Sequence, residues 1–269
     1  MSDEIYDFYE NGAEIGRLER GLGRIEAART KALLTRLLPP TGKICDVGGG
    51  IGYYSDWLAG RGYDVTMVEL APAAVEYART HRTHPYRAEV GNALDLSIFA
   101  DSSMDAVLLM GPLYHLLKAE DRAAALREAR RILKPGGVLI AAAISKFSSA
   151  TWALSVYGTG KDFIDDPVYM QMLEGELTTG EHHRPNEYPN FIAEAFFHEP
   201  AQLRTELTEN GLKEPVLYAI EGLIWFCPGL QEKWDDPMGR ERLEALLSMT
   251  EQEPSVLGMS PHILAAAVK

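Results

Sequence analysis

The sequence predicts an α/β fold, a doubly wound and mostly parallel sheet with helices on both faces. Three observations predict it. Short apolar runs alternate with helical stretches from residue 43 to residue 145, the pattern of a parallel sheet built by helical crossovers. The first apolar run ends in three glycines, Gly48-Gly49-Gly50, which marks a strand feeding a tight turn. At 269 residues the chain is long enough for one large domain carrying a smaller cap.

Each element follows from its own pattern. Residues 1–38 read as helical, because Leu18, Leu22, Ile25, Ala28, Ala32 and Leu33 recur at steps of three and four. Pro39-Pro40-Thr41-Gly42 stops that run. Lys43 to Val47 is the first strand, residues 53–60 a helix, and Asp64 to Leu70 the second strand. Pro72 opens the next helix at its first turn, where a missing N–H costs little. Tyr86 to Val90 is a third strand and Asp105 to Met110 a fourth. Glu120 to Leu133 is an amphipathic helix, Lys134-Pro135-Gly136-Gly137 a turn, and Val138 to Ile144 a fifth, wholly apolar strand.

After residue 145 the alternation stops. Residues 146–198 read as an irregular inserted cap over the active edge. Pro200 to Asn210 is a helix stopped by Gly211, and Leu212 to Ile220 a sixth strand. A second irregular insertion spans 223–254, with a short helix near 239–249, and His262 to Val268 is a seventh strand. The organisation is thus an N-terminal helical lid (1–40), a core (41–145), a cap (146–198) and the remainder of the core sheet (199–269). Right-handed crossovers put the parallel strands' C-terminal ends on one edge, where ligands bind.

Composition narrows the function classes. A formal net charge of −13 argues against a broad phosphate-backbone interface, which needs a Lys/Arg surplus. No nucleic acid is expected as a partner. Cys45 and Cys227 are too few for a disulfide framework and suit two reduced thiols in a cytoplasmic protein. The acidic N-terminus has no secretory pattern, and no apolar run approaches the roughly 20 residues of a membrane span. Monomer and homodimer both stay open.

The chemistry begins at Asp46-Val47-Gly48-Gly49-Gly50-Ile51-Gly52. Glycines let the backbone bend sharply and approach a ligand, since no Cβ intervenes. A dinucleotide fingerprint G-x-G-x-x-G starting at Gly48 would need glycine at 53, which is Tyr53; the run is G-x-G-x-G. Glu69 ends the second strand, 17 residues past Gly52, where a carboxylate can accept from both hydroxyls of a ribose.

Together these residues resemble the class I S-adenosylmethionine-dependent methyltransferases, with their Rossmann-like fold, over about residues 43–145. Ile44 to Gly52 is similar to the family's first motif, Glu69 to its acidic strand end, Met104 to Gly111 to its fourth-strand motif, and Leu133-Lys134-Pro135-Gly136-Gly137 to its turn before strand five. Tyr9, Arg17-Leu18-Glu19 and Phe196-Phe197-His198-Glu199-Pro200 resemble a bacterial small-molecule subgroup. The resemblance implies that the last strand is antiparallel and lies between the fifth and sixth. It implies S-adenosylmethionine as cofactor, with S-adenosylhomocysteine as product. The backbone at Gly48, Gly49, Gly50 and Gly52 and the side chain of Asp46 would border the methionine portion. Glu69 would hold the ribose, and Leu70 would lie against the adenine. Asn92 and Ala93 would meet the adenine edge, with Asp95 an alternative to Asn92. Met110 and Gly111 would lie under the sulfonium.

A sulfonium methyl is electrophilic, so the reaction asks mainly for alignment and exclusion of water. A base is needed only if the acceptor carries a proton. His115 is the candidate base, or a packed histidine that fixes its loop; Tyr114 lines a substrate pocket or packs. His182, His183, His198 and Trp152 are candidate substrate contacts in or beside the cap. Adjacent His182 and His183 point in different directions and make poor joint metal ligands, so no metal is expected. Tyr9 and Arg17 could belong to a lid, with Arg17 near the cofactor carboxylate or in a surface ion pair. The leading expectation is methyl transfer to a small-molecule acceptor whose nucleophile is N, O, S or C. An RNA or tRNA methyltransferase, a non-catalytic cofactor-binding protein and a nicotinamide dehydrogenase are the alternatives.

Overall fold

In the computed structural model, residues 14–269 are described. A 3-10 turn, Arg17–Glu19, leads into helix α1, Gly23–Leu37. The continuous helix expected over 1–38 is therefore interrupted. Gly16 and Gly21 have φ of 70° and 54°, a left-handed backbone that no helix interior tolerates. Tyr9 and the rest of that stretch up to residue 13 lie outside the described residues.

The alternation then follows the sequence closely. Strand β1 is Lys43–Val47, α2 Tyr53–Gly60, β2 Asp64–Glu69, α3 Pro72–His81, β3 Arg87–Val90 and β4 Met104–Leu109. Next come α4, Pro112–His115, α5, Ala119–Ile132, and β5, Leu133–Ile144. The expected turn at 134–137 lies inside the span of β5, as an irregularity in its pairing with β4. Gly137 is needed there because a Cβ would meet the Asp105 and Lys134 carbonyls at 3.1 and 2.9 Å.

The cap is more regular than the sequence suggested. It holds helices α6, Ser148–Val156, and α7, Pro167–Thr179, and a hairpin of β6, Glu181–His183, with β7, Glu194–Phe196. Helix α7 carries three local signals. Asp166 caps it by accepting from the Val168 N–H at 2.8 Å, Pro167 starts it, and left-handed Gly180 ends it. Helix α8, Pro200–Glu209, and strand β8, Lys213–Ala219, resume the core. The second insertion is likewise largely helical, with α9, Leu230–Asp235, and α10, Pro237–Thr250. Strand β9, His262–Val268, follows.

The core strands form a seven-stranded sheet in the order β3-β2-β1-β4-β5-β9-β8. Strands β3 to β5 run parallel, and β9 is antiparallel to both β5 and β8. That is the mixed sheet expected, with the last strand between the fifth and sixth core strands. Strand order reverses between β1 and β4.

Period-two alternation divides the core into two layers. Cys45, Val47, Val107, Leu109, Leu139 and Ile263 face one side, under Leu126 and Ile132 of α5 and Leu203 of α8. Ile44, Ala106, Leu108, Ile140 and Leu264 face the other, under Leu33 of α1, Leu58 of α2 and Val75 of α3. The second insertion then clamps α1: Ile25 packs with Ile224, Leu230, Trp234 and Leu247, and buried Arg29 meets Glu251 at 2.7 Å. This fixes the start of α1, and with it the 3-10 turn, at the C-terminal edge of the sheet.

Candidate active site

A cavity of about 1130 Å³, its open mouth included, lies at the β1/β4 switch point. Its walls are the segments that leave the C-terminal ends of β1, β2, β3 and β4, together with residues 14 and 16–19. No residue of 146–198 lines it.

The floor is the glycine turn. Gly48 and Gly50 adopt φ of 72° and 55°. A Cβ on Gly48 would also strike the Pro112 ring, at 2.7 Å from its Cδ. The turn is therefore built for glycine both by its dihedral angles and by the closeness of α4. Gly49 lines the cavity too, its α-carbon packed on Met67.

Two carboxylates face this floor. Glu69 is buried and pinned at both oxygens: Oε2 accepts from the Gly50 N–H at 2.9 Å and Oε1 from the Ala71 N–H at 3.0 Å. Each oxygen keeps a further lone pair for a ligand hydroxyl. Asp46 is buried; its Oδ2 accepts from the Ser55 hydroxyl at 2.7 Å, and its Oδ1 has no partner. Burial raises the Asp46 pKa; Ser55 opposes this, nearby Glu69 adds to it, and the result is about 6.

Leu70, Ala71, Gly91, Asn92 and Ala93 form the wall beyond Glu69. Asn92 Oδ1 accepts from the Leu94 N–H at 3.0 Å, which holds the side chain at the rim. Asp95 is not in the wall; it accepts from the Ser97 N–H. The opposite wall is Met110, Gly111, Pro112, Tyr114, His115 and Leu116. The Tyr114 hydroxyl donates to the Met110 carbonyl at 3.1 Å, and burial raises its pKa further above the usual range. His115 is buried, and its pKa falls to about 4 because burial outweighs a hydrogen bond with the Glu194 backbone. The imidazole is neutral at physiological pH.

Arg17 also lines the cavity. Its guanidinium meets Glu14 at 2.9 Å and Glu26 at 2.7 Å. Arg17 is thus in the ion pair that the sequence offered as one alternative, as well as in the cavity wall. Behind Glu26, His262 meets Glu221 at 2.7 Å. Burial lowers the His262 pKa, but Glu221 and Glu26 outweigh it and raise the value to about 9. Ligand atoms of Glu26, Glu221 and His262 lie within 4.8 Å of one another. Arg17 takes both Glu26 oxygens, and the His262 ring and Ser260 hydroxyl take those of Glu221. These carboxylates are neutralised from within the chain.

Other expected site residues lie elsewhere. Gly52 is not in the cavity wall; a Cβ there would fall on the Tyr86 hydroxyl, so its glycine serves packing of the following helix. His182 is buried in the cap between Glu176, at 2.5 Å, and the Ile192 carbonyl. His183 is exposed beside Glu181. His198 is buried against Glu206 at 3.2 Å, and Glu206 also holds Arg122. Trp152 packs into the cap's own aromatic cluster with Phe163, Tyr169 and Phe191. None of these four candidate substrate contacts lines the cavity. The cap instead presses β7 and the segment after it against α4: Ala195 and Phe197 share an apolar cluster with Tyr114.

Glu14, Gly16, Tyr54 and Ala71 also line the cavity and had not been singled out. Ser55, which holds Asp46, had not been either. Ser55 was findable, since it lies in the first turn of the helix after the glycines; Glu14 carries no spacing signal.

The donor set fits an adenosyl sulfonium. A pinned carboxylate suits vicinal ribose hydroxyls, a buried and unpartnered Asp46 Oδ1 suits an ammonium or a bridging water, and Leu70 and Ala93 offer an apolar slot.

Comparison with known proteins agrees with this geometry. A family model described as a methyltransferase domain matches residues 45–141. A ubiquinone biosynthesis O-methyltransferase of Xanthomonas axonopodis pv. citri is 30% identical over 212 residues, covering 77% of this chain and 76% of the relative. Its counterpart in Xanthomonas oryzae pv. oryzae is 31% identical with the same coverage. Among solved structures, a methyltransferase of Thermotoga maritima described as a possible histamine N-methyltransferase superposes with TM-score 0.59 at 20% identity, covering 98% of each chain. A putative methyltransferase of Haloferax volcanii, solved with the Trm112 activator, superposes with TM-score 0.61 at 21% identity, covering 100% of this chain and 98% of the other. These two show a shared fold. The family model, the two relatives and the glycine-turn geometry lead to one conclusion: the chain belongs to the class I S-adenosylmethionine-dependent methyltransferases and is an enzyme that uses that cofactor.

Proposed function

We propose that this enzyme methylates a small-molecule acceptor, and that the acceptor atom is oxygen. The observation that carries the first part is the cavity at the switch point, lined by the glycine turn and Glu69 and by Tyr114 and His115. An acceptor must reach the methyl group past the Arg17 segment, which suits a small molecule better than a polymer. The formal net charge of −13 supports the same reading against RNA. Oxygen as nucleophile is supported by the relatives, which are described as O-methyltransferases. Cys45 and Cys227 are free thiols, which suits a reducing compartment, and the proposal includes a cytoplasmic location.

When bound, the cofactor supplies an electrophilic methyl group on sulfur. The chain's residues align and exclude water. Glu69 would hold the ribose and Asp46 the amino-acid portion, over the Gly48–Gly50 turn. Leu70 and Ala93 take the apolar ring between them, and Asn92 meets its edge. Met110 and Gly111 form the wall at the reacting end. Tyr114, tied to the Met110 carbonyl, shapes the acceptor's side of the cavity. His115 has a positioning role: an imidazole with a pKa near 4 gains little by taking a proton at pH 7, so it holds α4 against the cap through Glu194.

The test is a panel of phenols, catechols, amines, thiols and bulk tRNA, read by S-adenosylhomocysteine release, with heparin retention measured alongside. Turnover of a hydroxyl-bearing small molecule supports the proposal. Turnover only of amines or thiols contradicts the oxygen assignment, and turnover only of RNA contradicts the small-molecule one.

A further inference from the structure

Glu14 lines the cavity and holds Arg17, a cation that also lines the cavity. Its side chain lies over the glycine turn, with Cγ 3.9 Å from where a Gly50 Cβ would be. Both of its carboxylate oxygens accept from the Arg17 Nε–H, at 3.0 and 2.9 Å. The other edge of the guanidinium is held by Glu26, at 2.7 and 3.1 Å.

The two acids are not equivalent. Glu26 stands on α1, which the second insertion clamps, and the His262 cation acts on it as well as Arg17. Glu14 precedes the 3-10 turn, and Arg17 is its side chain's only ion-pair partner among the described residues. One cation between two carboxylates carries a net charge of −1, so a third carboxylate would enter against repulsion unless one acid left. The pair that can open is the local one, three residues apart, whose acid has no second cation among the described residues.

We propose that Glu14 is a built-in stand-in for the carboxylate of the cofactor's amino-acid portion. On binding, Arg17 passes its Nε edge from Glu14 to the ligand carboxylate, while Glu26 keeps the guanidinium in place. Glu14 is thereby an internal competitor that sets cofactor affinity. This rests on the cofactor reading of the cavity, and the experiment separates the two.

The experiment is calorimetric titration of the whole chain with S-adenosylhomocysteine and with 5′-methylthioadenosine. The second probe keeps the adenosine and sulfur but lacks the amino-acid carboxylate. Glu14→Gln should tighten S-adenosylhomocysteine binding by about three- to tenfold and leave methylthioadenosine unchanged. Arg17→Gln should weaken S-adenosylhomocysteine by about tenfold or more, again without effect on methylthioadenosine. Weaker S-adenosylhomocysteine binding by Glu14→Gln would mean that Glu14 holds the ammonium, and would overturn the proposal. No change in affinity, or equal tightening for both ligands, would overturn it as well, the latter by making Glu14 a mere obstruction. Failure of the unaltered chain to bind either ligand would instead defeat the cofactor reading itself.

Discussion

Asp46 and Ser55 share one hydrogen bond, Oδ2 accepting from the hydroxyl at 2.7 Å, and it leaves the buried Oδ1 facing the cavity without a partner. The carboxylate comes from the end of β1 and the hydroxyl from the first turn of α2. The glycine turn between them brings the two side chains together. A buried acceptor left open in this way costs free energy in the empty cavity that a ligand donor restores.

The Asp46 pKa of about 6 makes this pair a source of pH dependence. Its folded value is raised, so the carboxylate is protonated below pH 6 and ionised above it. Affinity for S-adenosylhomocysteine should rise from pH 5 to pH 7 and then level off. Asp46→Asn should flatten that profile and weaken binding by about tenfold. Calorimetry across the range checks both, and an unchanged profile in the variant would count against the role given to Asp46.

Gly52→Ala should destabilise the fold by about 2–4 kcal/mol. The backbone there has φ of 83°, and the added carbon would fall on the Tyr86 hydroxyl. Tyr86→Phe in the same chain should recover part of the loss by removing that oxygen. Thermal melts of the single and double variants test this, and full stability of Gly52→Ala would refute the packing role.

His262 should make stability fall on the alkaline side. Its folded pKa, about 9, lies above the ordinary value for histidine, so the imidazolium's contribution is complete below about pH 6.5. It is lost as pH rises through 9. The contribution at pH 7 is on the order of 2 kcal/mol, discounted for partial exposure of the ring. Denaturant melts at pH 7 and pH 9.5 should show a smaller drop for His262→Gln than for the unaltered protein; equal drops would show that Glu221 and Glu26 do not hold the His262 proton.

His115 should leave no mark on the pH dependence of turnover between pH 6 and 8, because it titrates near 4. His115→Asn should keep the shape of the profile and lower the rate only as far as α4 shifts. An inflection near pH 6.5 that vanishes in the variant would restore His115 as the base.

The core and the cofactor end of the site were legible because both are written locally. The central strands β1, β2, β4 and β9 are apolar runs, and the glycine turn and Glu69 sit where strand ends must put them. The cap was read as irregular although α7 announces itself with Asp166, Pro167 and Gly180, and its buried residues Tyr169, Met172, Leu173 and Glu176 recur at helical spacing; the Gly- and Pro-rich flanks hid that stripe. The histidines of residues 182, 183 and 198 drew notice by their chemistry, yet two are buried and paired with Glu176 and Glu206, and His183 is exposed. Residue type alone could not place them, because tertiary packing decides which histidine meets a cavity. Glu14 lies over Gly50 through tertiary packing, a contact no spacing encodes.

The central claim is that the Gly48–Gly50 turn and the Glu69 carboxylate together hold the cofactor. Titration of S-adenosylhomocysteine into the unaltered chain and into Glu69→Ala tests it most directly. The account predicts clear binding that weakens by about tenfold or more in the variant, with the fold intact by circular dichroism. Equal affinity in the two proteins would contradict it.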